Sequence, residues 1–97
     1  MKIAHIDIII RCYEKHTIAR QAFLAWIAEA KHADWKTSMD IKQRFPGADF
    51  LTDNRVVFII KGKKYRLIVQ IHYPTSTVSI RFAGTHADYD KIDAEKI

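Results

Sequence analysis

Cysteine is almost missing from this sequence. Cys12 is the only one, so no internal disulfide can form. A lone thiol fits a reducing compartment, and its simplest role is that of a small buried apolar side chain. Glycine and proline are scarce too, at three and two residues. No repeat, low-complexity tract or linker divides the chain, so residues 1–97 read as one domain. No apolar run approaches the roughly 20 residues that span a bilayer. Ile8-Ile9-Ile10 is too short for a signal-peptide core and charge follows it. The expectation is a cytoplasmic protein with no export signal and no membrane partner.

The usual chemical motifs are also absent. The five histidines, His5, His16, His32, His72 and His86, lack paired ligand spacing, and one cysteine cannot build a thiolate site. Gly47 and Gly84 stand alone and Gly62 belongs to a hairpin, so there is no phosphate-cradling loop. Ser38 looks like a helix cap, and no strained-turn glycines flank Ser76 or Ser79. No metal site and no cofactor is expected. Acidic residues are outnumbered 11 to 16 by lysine and arginine, giving a net charge of +5. Such a surplus favours a polyanionic partner.

What the chain does have is a long β-rich stretch from Arg55 to Asp90. Three runs of β-branched, aliphatic and aromatic residues are separated by turn signals at Gly62-Lys63 and at Tyr73 to Thr77, the pattern of an antiparallel meander. Gly62 supplies the positive φ of a two-residue hairpin, which sets Lys61 against Lys64. The register then places Ile60 opposite Tyr65, Ile59 opposite Arg66, Val57 opposite Ile68 and Arg55 opposite Gln70. Alternation puts Val56, Phe58, Ile60, Tyr65, Leu67, Val69 and Ile71 on a core face. Arg55, Val57, Ile59, Lys61, Lys64, Arg66, Ile68, Gln70 and His72 fall on the other. In the third strand the same scheme sends Val78, Ile80 and Phe82 to the core and Ser79 and Arg81 outward. The second face, basic residues among apolar ones, is the expected working surface.

The rest of the chain reads as helices that cover the core face. Thr17 to His32 is the clearest, with Thr17 as N-cap and Ala19, Ala22, Phe23, Trp26, Ile27 and Ala30 in one apolar stripe. Thr37 and Asp40 have capping-box spacing and start a short helix that Pro46-Gly47 ends. Asp49 to Asn54 is a connecting turn, with Asp53-Asn54 its signal. Met1 to Ile10 admits two readings: its isoleucines lean to strand, yet Asp7 could cap a helix. Ile92 to Ile97 either makes one helical turn or frays. The architecture is thus α+β, with N-terminal helices on one face of an antiparallel sheet.

Lys, Arg, His and Tyr around a basic sheet face suit metal-free RNA cleavage. A 2′-hydroxyl must lose a proton, the phosphorane charge must be neutralised, and the 5′-oxygen must gain a proton. Arginine holds phosphate bidentately, His, Tyr or a shifted Lys moves protons, and fixed cations stabilise developing charge. Most such residues elsewhere are plain surface groups: Lys61 and Lys64 flank a hairpin, His72 ends a strand, and Tyr89 could pack beside the sheet. Arg66 and Arg81 stand out because both fall mid-strand.

The segments Asn54 to Phe58, Gly62 to Leu67, Ile71 to Tyr73 and above all Arg81-Phe82-Ala83-Gly84-Thr85-His86-Ala87-Asp88-Tyr89-Asp90 resemble the HigB toxins of bacterial type II toxin–antitoxin modules. Ala33 to Lys36 resembles that family as well. The resemblance implies a compact RelE-like domain and a ribosome-dependent endoribonuclease that cuts mRNA. It implies a HigA-type antitoxin with a helix-turn-helix domain as partner, with operator DNA bound only through the toxin–antitoxin complex. By position, Arg66 would hold the scissile phosphate. His86 and Tyr89 match the region linked to proton transfer or base stacking, with Arg81 as a further catalytic candidate. Lys61, Lys63, Lys64, His72 and Arg55 would bind RNA. The isoleucine-rich start departs from the family, whose members read as more polar there and begin a helix. Two rivals remain: a non-catalytic RNA- or ribosome-binding module, and a subunit whose positive face serves only an acidic protein.

Overall fold

The computed structural model describes residues 1–97. Strand β1 (Lys2–Ala4) is followed by helix α1 (Asp7–Lys15), a 3₁₀ turn over Thr17–Ala19, helix α2 (Arg20–His32) and helix α3 (Ser38–Arg44). Strands β2 (Asp49–Phe50), β3 (Arg55–Ile60), β4 (Tyr65–His72) and β5 (Thr77–Thr85) come next, and a one-turn helix α4 (His86–Tyr89) closes the ordered elements. The five strands form one sheet in the order β1-β5-β4-β3-β2. Its pairs are antiparallel except β1 with β5, which run parallel and make the sheet mixed. No helix is long and apolar enough to cross a membrane.

Both readings of the first ten residues hold, each over part of the length. Three residues pair as β1, His5 turns the chain at φ 63°, and α1 begins at Asp7. Asp7 is the first helical residue and Ile6 the cap position, with no side-chain cap bond. Asp7 therefore acts through the helix dipole, with Lys15 at the other end, and through a 2.8 Å pair to Arg11 one turn on. Thr17 likewise is not a cap: it lies within the 3₁₀ turn, whose leading residue, His16, makes no side-chain cap bond. The second helix start matches its sequence signature, since the Asp40 carboxylate accepts from the Thr37 backbone N–H at 3.2 Å.

The meander has the register that the Gly62 turn implies. Ile60 faces Tyr65, Ile59 faces Arg66, Val57 faces Ile68 and Arg55 faces Gln70. The turn is longer than the expected two-residue loop: Lys61 to Lys64 all lie beyond the last ladder pair, Ile60 and Tyr65, so Lys61 and Lys64 do not pair in the ladder. Lys61 adopts φ 52° beside Gly62 at φ 58°, and the Lys64 N–H reaches the Lys61 carbonyl at 3.3 Å. Asp53 and Asn54 are also left-handed, at φ 56° and 58°. That conformation closes a hairpin that folds Asp49 and Phe50 back onto β3, so the expected connecting turn contains a short strand.

The core lies between α1 to α3 and the sheet. Phe23, Phe58, Leu67, Val69 and Ile80 are each at most 1% exposed. Trp26 meets Phe58 edge-on at 5.3 Å between ring centroids, and Phe23 meets Tyr65 at 6.1 Å. Every residue assigned to the core face of β3 and β4 is buried.

One assignment in β5 fails. The ladder slips between Ile68 and Val69: Val69 faces Ile80, but Ile68 faces Phe82. Arg81 is the extra residue of a β-bulge, and the residues after it change sides. Phe82 therefore lies on the second face with Ile68, whereas Ala83, opposite Leu67, packs against the core.

Candidate active site

The second face is divided. At the end near the β2–β3 turn, the chain after α4 returns across it. The Ile97 main-chain oxygen accepts from Arg55 Nε at 3.0 Å and from Arg81 Nε at 3.4 Å. Val57 and Ile68 on this face are only 3% and 0% exposed. Arg55 is itself buried and also reaches Asp53 at 3.5 Å. These two arginines, expected to meet RNA, are thus occupied within the protein. His72 ends β4 six residues from Arg66, roughly 20 Å along an extended strand, and bonds Thr75 Oγ1 at 2.8 Å.

At the other end the face is open. Arg66, second residue of β4, lies across from Gly84 of β5. Its Nη1 donates to the carbonyls of Lys63 at 2.9 Å and Tyr65 at 3.2 Å, which pins the guanidinium against the hairpin. Nε and Nη2 find no acceptor in the protein. The guanidinium carbon stands 6.0 Å from the Tyr89 ring centroid. Lys61, Lys63 and Lys64 belong to the same hairpin, are exposed, and none pairs with a carboxylate. The Phe82 ring, moved here by the bulge, adds an aromatic surface beside them.

Helix α4 brings the remaining groups in. Its first N–H, from His86, donates to the Lys64 carbonyl at 3.1 Å and fastens the helix to the start of β4. Thr85 caps it: Thr85 Oγ1 accepts from the Asp88 N–H at 3.1 Å, and the Asp88 carboxylate accepts from the Thr85 N–H at 3.3 Å. The Thr85 hydroxyl, then its backbone N–H, hold the Asp88 carboxyl below the ordinary carboxylate range, with smaller help from Lys15 and Lys91. Burial, with the Asp88 charge second, pushes the Cys12 thiol up. It is a core residue poorly suited to act as a nucleophile.

His86 Nδ1 lies 3.2 Å from the Asp90 carboxylate, one helical turn on. The His86 ring makes no side-chain hydrogen bond within the protein, and its side chain is more than half exposed. The structure thus gathers Arg66, His86, Tyr89, Lys61, Lys63 and Lys64, and separates Arg81, Arg55 and His72 from them. Two participants escaped the sequence reading. Phe82 was hidden by a bulge that no glycine or proline marks. Asp90 could have been found, because its four-residue spacing from His86 is the spacing of facing residues on a helix.

No three His, Cys, Asp or Glu side chains converge as a metal ligand set would. The open end is a cationic, aromatic-lined surface carrying one exposed histidine beside a carboxylate. It can hold a phosphodiester between Arg66 and the hairpin lysines, stack a base, and exchange a proton. A search of curated proteins finds no match. The model of the HigB toxin family, RelE-like toxic components of toxin–antitoxin systems, matches residues 19–92. That span runs from α2 through the meander to α4 and includes the whole Arg66 cluster, and the chain belongs to this family.

Proposed function

We propose that the protein is an mRNA interferase: an endoribonuclease toxin that acts in the bacterial cytoplasm and cuts mRNA in the decoding site of the translating ribosome. A HigA-type antitoxin, with a helix-turn-helix DNA-binding domain, would silence it and carry the complex to operator DNA. The observation that carries this reading is Arg66, a strand-held guanidinium with two free donor nitrogens, set beside Tyr89.

The chemistry is an in-line transesterification. The 2′-oxygen attacks the adjacent phosphorus, the new P–O bond forms as the bond to the 5′-oxygen breaks, and a cyclic phosphate remains. Negative charge grows on the phosphate oxygens. Arg66 meets it with little reorganisation, because Lys63 and Tyr65 carbonyls already hold its Nη1. His86, beside Asp90, and Tyr89 serve the two proton transfers. Lys61, Lys63 and Lys64 contact flanking phosphates, and Phe82 or Tyr89 stacks on a base. Arg81 and Arg55 support the site from beneath by holding the Ile97 segment. Every group in this scheme comes from the protein, so the reaction as written needs no metal ion.

The test is growth arrest on induction, with mRNA ends mapped on translating ribosomes. The parent should cut within translated messages. Arg66→Ala should slow cleavage by about 10²–10³, His86→Ala by about 10²–10⁴, and Lys63→Ala far less. Binding to ribosomes should weaken steeply with salt. A parent protein that binds ribosomes but cuts no message would leave a non-catalytic ribosome-binding module in place of this reading.

A further inference from the structure

On the side of the molecule remote from β5, the outer edge of the sheet is only partly covered. β2 begins at Asp49, opposite Val57, so beyond Val57 the outer edge of β3 has no strand beside it. The Arg55 N–H bonds the Thr52 carbonyl, and the Leu51 N–H bonds the Arg55 carbonyl. Residue 55 therefore points its main-chain groups outward, and alternation does the same for Ile59. Ile59 is also 43% exposed, high for a large apolar side chain. Along this open edge runs an apolar groove. One cavity of about 190 Å³ lies among Trp26, Phe45, Gly47, Phe58 and Ile60. A second of about 210 Å³ shares Trp26, Phe45 and Ile60 and reaches Ala25 and Lys61. Trp26 is 3% exposed, and its indole N–H is the one buried side-chain polar atom with no partner. Buried donors are normally satisfied.

We propose that this groove takes an extended, acidic segment of the antitoxin, which adds to β3 as a further strand. The inference rests on the chain's toxin–antitoxin membership and not on mRNA cleavage. Main-chain groups at an open edge call for another main chain. The apolar walls take a side chain of the incoming segment, and one of its carbonyls accepts from Trp26 Nε1. The acidic character follows from charge. Lys61 lines the groove with no carboxylate partner, while Arg44, its other cation, already holds Glu29 at 2.6 Å. A second copy of this chain fits poorly, since antiparallel pairing of two β3 edges about Ile59 would set Lys61 of one copy opposite Val57 of the other, where β2 already occupies the edge. The position also explains silencing. A strand beside β3 lies two inter-strand spacings, roughly 10 Å, from β4. Its carboxylates on the Ile59 face then reach towards Arg66 and the hairpin lysines, the cations RNA needs.

The experiment uses the full toxin with its antitoxin. Gly47→Glu and Ala25→Glu add negative charge to the groove at positions outside the RNA-cleaving cluster. Gly47 has no atom within 4 Å of an added Cβ, and Ala25 is exposed. Each should weaken antitoxin binding by about 100-fold while the free toxin melts like the parent and cuts mRNA at the parent rate. Trp26→Phe, which keeps a ring and removes the donor, should weaken binding by about tenfold. In the complex, hydrogen exchange should slow at the Ile59 amide and the Trp26 indole resonance should shift. Full antitoxin affinity in both glutamate variants would overturn the proposal. So would protection confined to α4 and the β3–β4 turn, or a toxin homodimer that the same substitutions dissolve. If the parent proves unable to cut mRNA, the cleavage mechanism falls, and the binding measurements still decide the groove.

Discussion

Gly84 lies across the ladder from Arg66, and a Cβ added to it would stand 2.8 Å from Phe82 Cζ and 3.2 Å from the Asp88 side chain. No side chain fits there without moving the Phe82 ring or helix α4. The absence of a Cβ is what lets the ring, the helix and the guanidinium close on one another. Gly84→Ala should cost about 1–3 kcal/mol, as overpacking does, and should slow cleavage more than that loss alone explains, because α4 carries His86 and Tyr89. A thermal melt and mapped mRNA ends check it. A variant with the parent's melt and rate would mean that Phe82 turns aside freely and that the fit is not required.

The three arginines of the second face should separate into two kinds. Arg66 is half-exposed and touches only hairpin carbonyls and Tyr89, so Arg66→Ala should spare the melt. Arg55 and Arg81 share the Ile97 oxygen. Arg55→Ala removes a buried donor and should cost about 1–3 kcal/mol; Arg81→Ala, with the longer bond and more exposure, should cost less. Both should cleave in proportion to the folded fraction. An Arg81→Ala protein that melts like the parent but cuts about 100-fold more slowly would move Arg81 into the reacting group.

Helix α4 should be pH-sensitive through Asp88. Its carboxyl is held below the ordinary value by the Thr85 hydroxyl and N–H. A carboxyl with a depressed folded pKa adds stability that is complete above the unfolded value, roughly 3.9. That contribution is lost as pH falls through the folded value. Parent and Asp88→Asn should therefore differ in melting temperature at pH 7 and converge as pH is lowered below about 4. A difference that stays constant down to pH 2 would show that the charge of Asp88 plays no part in the cap.

How much of this was legible in the sequence depends on how local the cause is. The register of β3 on β4 follows from the turn at Gly62 and from alternation, so Arg66 could be placed on its face beforehand. The Thr37-Asp40 cap was readable from spacing alone. The same spacing at Thr85-Asp88 has the same meaning, and it starts the helix that presents His86. The bulge at Arg81 has no such marker. It is set by the fit of β5 against β4, and it moves Phe82 from the core to the site. The hold of Arg55 and Arg81 on the Ile97 oxygen is equally tertiary, as is the groove at the β3 edge, beside which β2 has only two residues.

The C-terminal segment leads to the last prediction. Ile92, Ala94 and Ile97 are half-buried, and the intervening residues are exposed, the pattern of a strip with one side on the sheet. Its anchor is the Ile97 oxygen, and its apolar contribution is the half-buried side chains of Ile92, Ala94 and Ile97. Fully burying a valine or isoleucine contributes about 1.5–3 kcal/mol each, and transfer sums of this kind are upper estimates. Removing residues 91–97 should therefore lower stability by about 2–5 kcal/mol and raise binding of a hydrophobic dye. Ile97→Asp, a gentler change, should lose part of that amount. Arg55 and Arg81 become free in the truncated chain, so its affinity for RNA should rise if those guanidiniums can reach phosphate. A truncated protein with the parent's melt would show that this segment adds nothing to the stability of the fold.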